Sequence, residues 1–141
     1  MMKKRGQIST EYLIVVGFVG FLVLSVLGIA YYYTNSIRDQ IRMNQLQSFG
    51  NKIITSAESV YYSGVPSRST INAYLPDGVS SIIVADREII FSISTSTGIN
   101  TLSFRSNVKL RLIGQISMGE GSKRIQMDAL EDEVTLTQEN S

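Results

Sequence analysis

Apolar and polar residues follow three successive patterns along this chain. From Tyr12 to Tyr33 nearly every position is apolar: 18 of 22 residues are hydrophobic, the exceptions being Gly17, Gly20, Ser25 and Gly28, and none is charged. At about 1.5 Å per helical residue this stretch reaches about 33 Å, enough to cross a hydrocarbon layer of about 30 Å. From Ile37 the pattern turns amphipathic. Ile37, Ile41, Leu46, Phe49, Ile53, Ala57, Val60 and Tyr61 recur mostly at steps of three or four, with Arg38, Asp39, Arg42, Asn44, Gln45, Lys52 and Glu58 between them. No proline precedes Pro66. The pattern predicts one helix from about Ser9 to about Tyr62, roughly 80 Å long, with Asn35 and Gly50 as candidate bends. The alternative is a pair of helices broken at Thr34-Asn35-Ser36.

After Ser63-Gly64-Val65-Pro66-Ser67, a stretch of turn-forming residues, the period shortens to two. Strands are expected over Thr70–Leu75, Val79–Ala85, Glu88–Ser94, Thr101–Arg105, Val108–Ile116 and Lys123–Leu130, with a last short one at Val134–Thr137. Pro76-Asp77-Gly78 is a turn, and Asp86-Arg87 suits a tight hairpin. The fold class implied is α+β: a long N-terminal helix, apolar in its first half and amphipathic in its second, with an antiparallel sheet or sandwich packed on the second half.

Composition narrows the chemistry. The 141 residues include no His and no Cys. That excludes imidazole-based acid–base work, Ser-His-Asp or Cys nucleophiles, disulfides, and His/Cys metal ligation. Lys109, Arg111, Lys123 and Arg124 read as the outward side of strands rather than a nucleic-acid surface. Asp128, Glu131, Asp132, Glu133 and Glu139 read as a solvated, frayed acidic tail, without the spacing of a calcium loop. Ser92–Thr97 is hydroxyl-rich and suits either an exposed loop or an edge strand, and no N-x-[ST] sequon occurs. No paired-carboxylate site is readable. The expectation is a protein with no cofactor, no metal and no enzymatic activity.

The segment before the apolar run carries the most specific signal. Lys3, Lys4 and Arg5 hold the N-terminus on the cytoplasmic side of a membrane, which sends the rest of the chain outside. Tyr31, Tyr32 and Tyr33 suit the far interface. Glu11, a carboxylate at the mouth of an apolar run, has no use in a simple secretory signal, although it could complement a helix N-terminus. The stretch Lys3-Lys4-Arg5-Gly6-Gln7-Ile8-Ser9-Thr10-Glu11-Tyr12-Leu13 resembles the class III signal peptide of archaeal type IV pilin-like proteins: basic residues and Gly, then Gln-x-Ser-x-Glu, then a long apolar helix. Archaellins are a neighbouring family, but the Gln-x-Ser-x-Glu order fits the pilin group better.

That resemblance implies a set of roles. A prepilin peptidase would cut between Gly6 and Gln7, recognising Lys3, Lys4, Arg5, Ser9 and Glu11. Glu11 would become the fifth mature residue and pair with the free amine of Gln7 on an adjacent subunit. Assembly would involve Glu11, Gln7, Tyr12, Leu13, Phe18, Phe21 and Leu24. The chain would then divide into a leader (1–6), a filament-core helix (7–33), its amphipathic continuation (34–62) and a β-rich head with an acidic tail (63–141). Removing residues 1–6 takes the formal charge from +1 to −2. The expected partners are further copies of the chain, the peptidase, a membrane assembly platform and, before assembly, the membrane itself; nucleic acid is not among them. The precursor would sit in the cytoplasmic membrane with its head outside, and the mature chain in an extracellular filament for adhesion. Two other readings stay open: a minor or singly anchored binding module that primes assembly, and a secreted protein released after Ala30, where Gly28-Ile29-Ala30 offers a small-x-small cleavage site.

Overall fold

The computed structural model describes the backbone of residues 4–139 and the side chains from Ser9 to Glu139. One helix, α1 (Lys4–Tyr62, 59 residues), is followed by β1 (Arg68–Leu75), β2 (Val79–Ala85), β3 (Glu88–Thr95), β4 (Gly98–Arg105), β5 (Lys109–Ile113), β6 (Gly121–Ala129) and β7 (Glu133–Glu139). The α+β architecture read from the patterning is the one observed. The chain divides into two compact units that meet between Arg38 and Asp39.

The first unit is helix alone. Its side chains from Ser9 to Arg38 are exposed except for a half-buried Ser25. The hydroxyls of this region bond back to their own helix. Ser25 Oγ donates to the Phe21 carbonyl and Thr34 Oγ1 to the Ala30 carbonyl, both at 2.8 Å. Such i−4 bonds satisfy the hydroxyls without a neighbour or water. Helical structure continues through Asn35 and Gly50 without a break.

In the second unit the remainder of α1 lies against two sheets. Leu46, Phe49, Ile53, Ala57 and Val60, at helical spacing, are buried, as is Ile54. They meet Ala73 and Leu75 of β1, Ile89, Phe91 and Ile93 of β3, Leu110 of β5, Ile125, Met127 and Ala129 of β6, and Val134 and Leu136 of β7 in one core. Burying side chains of this size contributes about 1.5–3 kcal/mol each relative to exposure. Phe49 and Phe91 meet edge to face with centroids 5.7 Å apart, and Phe91 meets Phe104 in the same way at 5.7 Å. Ile37 and Ile41 continue the sequence pattern but stay exposed, so the buried stripe begins later than the periodicity does.

The four-stranded sheet has the order β1-β6-β7-β5 and the three-stranded sheet the order β2-β3-β4. All pairings are antiparallel except β5 with β7, which is parallel. The long return from β5 to β6 makes that possible, because β6 and β7 form a hairpin inserted between β1 and β5. The two sheets are joined where the Leu110 N–H donates to the Asp86 carbonyl (2.6 Å), while the Ser106 N–H, donating to the Arg87 carbonyl (2.8 Å), prolongs the β3–β4 pairing. At the β1–β2 turn, Gly78 has φ of 83°, and a Cβ there would lie 3.2 Å from the Ser94 carbonyl oxygen. That turn therefore needs glycine on two counts.

Candidate assembly helix and head surface

The apolar part of α1 is the most unusual surface of the described residues. Over Ser9–Tyr62 the best 18-residue window reaches a mean hydropathy of 2.8, and none of that window is buried. Tyr12, Leu13, Phe18, Phe21 and Leu24 are 71%, 72%, 62%, 67% and 71% exposed. At about 100° per residue they spread over roughly two thirds of the circumference, so helical geometry does not gather them on one narrow face. A helix that is apolar all round belongs in lipid or inside a larger bundle.

Around this helix the expected leader residues fall partly out of view. Lys3 lies outside the described residues, as do the side chains of Lys4, Arg5 and Gln7; the Gly6–Gln7 bond falls within the span of α1. Ser9 and Glu11 are exposed. Because α1 starts at Lys4 and carries no acidic residue in its first turn, Glu11 of the uncut chain sits beyond the reach of the helix N-terminus.

The second unit uses the charges of its helix to hold the head. Asp39 Oδ2 accepts from the Ser96 N–H (2.9 Å) and hydroxyl (2.5 Å) at the β3–β4 turn. Arg42 Nη2 donates to Asp77 Oδ2 at 2.5 Å at the β1–β2 turn. Lys52 Nζ donates to the Asn72 carbonyl at 2.6 Å on the free edge of β1. Glu58 Oε1 accepts from the Asn107 N–H (2.9 Å) and side-chain amide (3.1 Å) before β5. Four helix side chains therefore reach four separate parts of the head. Periodicity identified these residues as the polar side of the helix but offered no partner for any of them.

Electrostatics follow from those contacts. The side-chain and then the main-chain hydrogen bonds from Ser96 hold the Asp39 carboxyl below its ordinary value, with Arg42 adding to the effect. Burial pushes Asp128 upward, but hydrogen bonds from Arg68 and Gln126 and the Arg68 charge outweigh it, leaving this carboxyl lowered as well. The Tyr74 hydroxyl, donating to Glu120 Oε1 at 2.5 Å, is raised by that bond, by partial desolvation and by the charges of Glu120 and Asp77.

Two surface expectations need correction. The acidic end is not a frayed tail up to Glu139: Glu133–Glu139 is β7, an inner strand between β6 and β5. Its acids are matched across the sheet, Glu133 with Arg111 and Glu139 with Arg124, each at 3.3 Å, while Asp128 pairs with Arg68 on β1. Lys123 does not face outward. It shares the inner side of β6 with Ile125 and Met127, is 9% exposed, and donates to Ser117 Oγ at 3.2 Å. Lys109, Arg111 and Arg124 are exposed as expected. Of the hydroxyl-rich run, Ser92–Thr95 belongs to β3, the middle strand of its sheet, and Ser96-Thr97 forms the turn that Asp39 clasps. Among the described residues no group of three or more acidic, His or Cys side chains converges as a metal site. No family model, curated protein or solved structure matches this chain.

Proposed function

We propose that this protein is a pilin-like structural subunit, not an enzyme, that polymerises through its apolar N-terminal helix into an extracellular filament, with adhesion as its task. One observation carries the reading: the head's core takes α1 residues from Met43 onward, while among the described residues none of the most apolar window of α1 is buried. Leaving 22 such residues in water is untenable when each large side chain contributes about 1.5–3 kcal/mol on burial. Lipid can cover the stretch before assembly, and the helices of further copies after it. The leader motif supports the route between those states, since cutting after Gly6 deletes Lys3, Lys4 and Arg5, the cations that hold the N-terminus in place.

A singly anchored or assembly-priming subunit would use the same helix and differs only in abundance. Release after Ala30 is less well supported, because helical structure runs through that position and the Ala30 carbonyl accepts the Thr34 hydroxyl. N-terminal sequencing of the native protein, combined with mass spectrometry of sheared surface filaments, tests the proposal. A mature start at Gln7 and abundance in the filaments is expected. A start at Tyr31 overturns it, and a start at Gln7 with absence from filaments leaves the anchored module instead.

A further inference from the structure

Each sheet of the head ends in two edges, and the four are treated differently. β1 carries Arg68 on the strand and receives Lys52 from the helix, whose Nζ bonds the Asn72 carbonyl. β5 is five residues long, carries Lys109 and Arg111, and gives its Leu110 N–H to the Asp86 carbonyl. β2 has a register shift between Val79 and Ser81 and runs into that same Asp86 bond to β5. Charge, shortness, bulges and cover are the ordinary means of keeping an edge from pairing with another chain. β4 has none of them. It is eight residues long, pairs with β3 without a register shift, contains no proline and carries no charge before Arg105.

The bonding pattern shows which groups that edge offers. The Ser106 N–H bonds the Arg87 carbonyl, so alternation turns the main-chain groups of Gly98, Asn100, Leu102 and Phe104 toward β3. Those of Ile99, Thr101, Ser103 and Arg105 face away from it, and among the described residues no other part of the chain bonds them. All four residues are exposed, Ile99 at 71%. Their N–H and C=O groups stand in one row, ready for a further strand.

Symmetry and charge select that strand. Because β4 is the one unguarded edge of the described head, a second copy can meet it only with its own β4, in a two-fold, self-complementary arrangement. Antiparallel pairing centred on Leu102 uses all four outward positions. It sets Ile99 opposite Arg105, and Thr101 opposite Ser103, of the other copy. The two Arg105 side chains then lie at opposite ends, whereas parallel pairing would bring them side by side. The apolar stem of Arg105 covers the exposed Ile99. Ser103 Oγ donates to Glu88 Oε1 and therefore still accepts from the Thr101 hydroxyl across the pair.

We propose that β4 is an interaction edge that pairs antiparallel with β4 of a second copy, joining two three-stranded sheets into one of six in the order β2-β3-β4-β4-β3-β2. The pairing involves heads only and does not rest on how the apolar helix is covered.

The test uses the full chain in a zwitterionic detergent. The sequence has no Cys, so single introduced cysteines report contacts. A mixture of Thr101→Cys and Ser103→Cys chains should form a disulfide-linked dimer on mild oxidation, at several times the yield of Thr101→Cys alone or of Thr70→Cys on the β1 edge. A yield no higher than those controls overturns the proposal. Sedimentation then reads the charge pattern, with any association through the apolar helix common to every variant. Ile99→Glu faces Arg105 of the other copy and should tighten the dimer, while Ile99→Lys should weaken it, each by about 2- to 30-fold over the two symmetry-related pairs. Weakening in both variants would mark a general apolar contact and also overturns it. Thr101→Pro deletes an outward N–H that the head itself does not use and should abolish the dimer. Because Ile99 is exposed and outside the core, its two variants decide the proposal even if Thr101→Pro folds poorly.

Discussion

The ring of Phe104 rests directly on Gly50. A Cβ added at Gly50 would lie 2.6–2.7 Å from three ring carbons of Phe104, closer than real Cβ atoms approach. Gly50 is thus where β4 closes onto the helix, beside the edge-to-face contact between Phe104 and Phe91. Gly50→Ala sets two effects against each other. Helix propensity favours Ala by about 1 kcal/mol, and overpacking a filled site costs about 1–3 kcal/mol. Because Phe104 is hemmed in by Phe91, we expect overpacking to prevail, with a net loss of up to about 2 kcal/mol in chemical or thermal unfolding. In a double-mutant cycle Phe104→Ala should relieve part of the Gly50→Ala penalty. Strictly additive losses would place the cost elsewhere.

The contacts around Asp39 and Tyr74 predict a pH profile with two shoulders. Asp39 and Asp128 have lowered carboxyl values in the folded chain. Each therefore adds stability above the ordinary carboxylate range near about pH 4, and that contribution is lost as the pH falls through the lowered folded value. Tyr74 behaves oppositely. Its raised value adds stability below about pH 10, and this disappears as the pH rises through the folded value. Melting temperatures of Asp39→Asn and Tyr74→Phe should show a shallower acid limb and a shallower alkaline limb respectively. A wild-type-like acid limb in Asp39→Asn would rule out the Ser96 contact as its source.

Arg42 and Asp77 fasten the helix to the β1–β2 turn, yet their side chains remain 31% and 46% exposed. Exposed pairs of this kind are worth about 0.2–1 kcal/mol. A double-mutant cycle with Arg42→Met and Asp77→Asn should return a coupling within that range, shrinking as salt is raised from about 0.01 M to 1 M. A coupling that survives high salt would indicate a desolvated pair and contradict the exposed geometry.

The sequence made much of this fold legible because its periods are distinct. Seven strands and one uninterrupted helix follow from the change of spacing after Ser63, and the ends of β2 agree with the pattern to the residue. What periodicity missed is what depends on partners distant in sequence. Gly50 looks like a bend until Phe104 is placed over it. The acids after Arg124 look like a tail, because their matching arginines, Arg111 and Arg68, lie 22 and 60 residues earlier in the ion-paired contacts. Lys123 looks like an outward residue because lysine almost always is; only the pairing of β6 with β1 and β7 turns it inward. At the assembly helix the reverse holds. The apolar run was legible in full, and the fold adds that none of its best 18-residue window is buried.

Glu11 provides the sharpest test of the assembly reading. It is an exposed carboxylate one residue before the apolar stretch, on a helix that begins a further two turns upstream. In lipid it sits at the interface, where water still reaches it. In a bundle of apolar helices it would be desolvated, which is unfavourable unless a cation or donors meet it. The amine freed at Gln7 by cutting after Gly6 is the one such group that the processed chain acquires at that depth. Glu11→Gln, which keeps the size and hydrogen-bonding oxygen of the side chain that the peptidase would read, should therefore insert in the membrane and be cut, judged by protease protection of the head and by the mass of the mature chain, yet yield few or no filaments by electron microscopy. Glu11→Asp, which keeps the charge on a shorter arm, should retain partial assembly. Abundant filaments of normal length from Glu11→Gln would refute the pairing, and with Leu24→Lys as a companion the two components separate: loss of filaments in Leu24→Lys alone would leave the apolar packing intact as the driving contact and remove Glu11 from it.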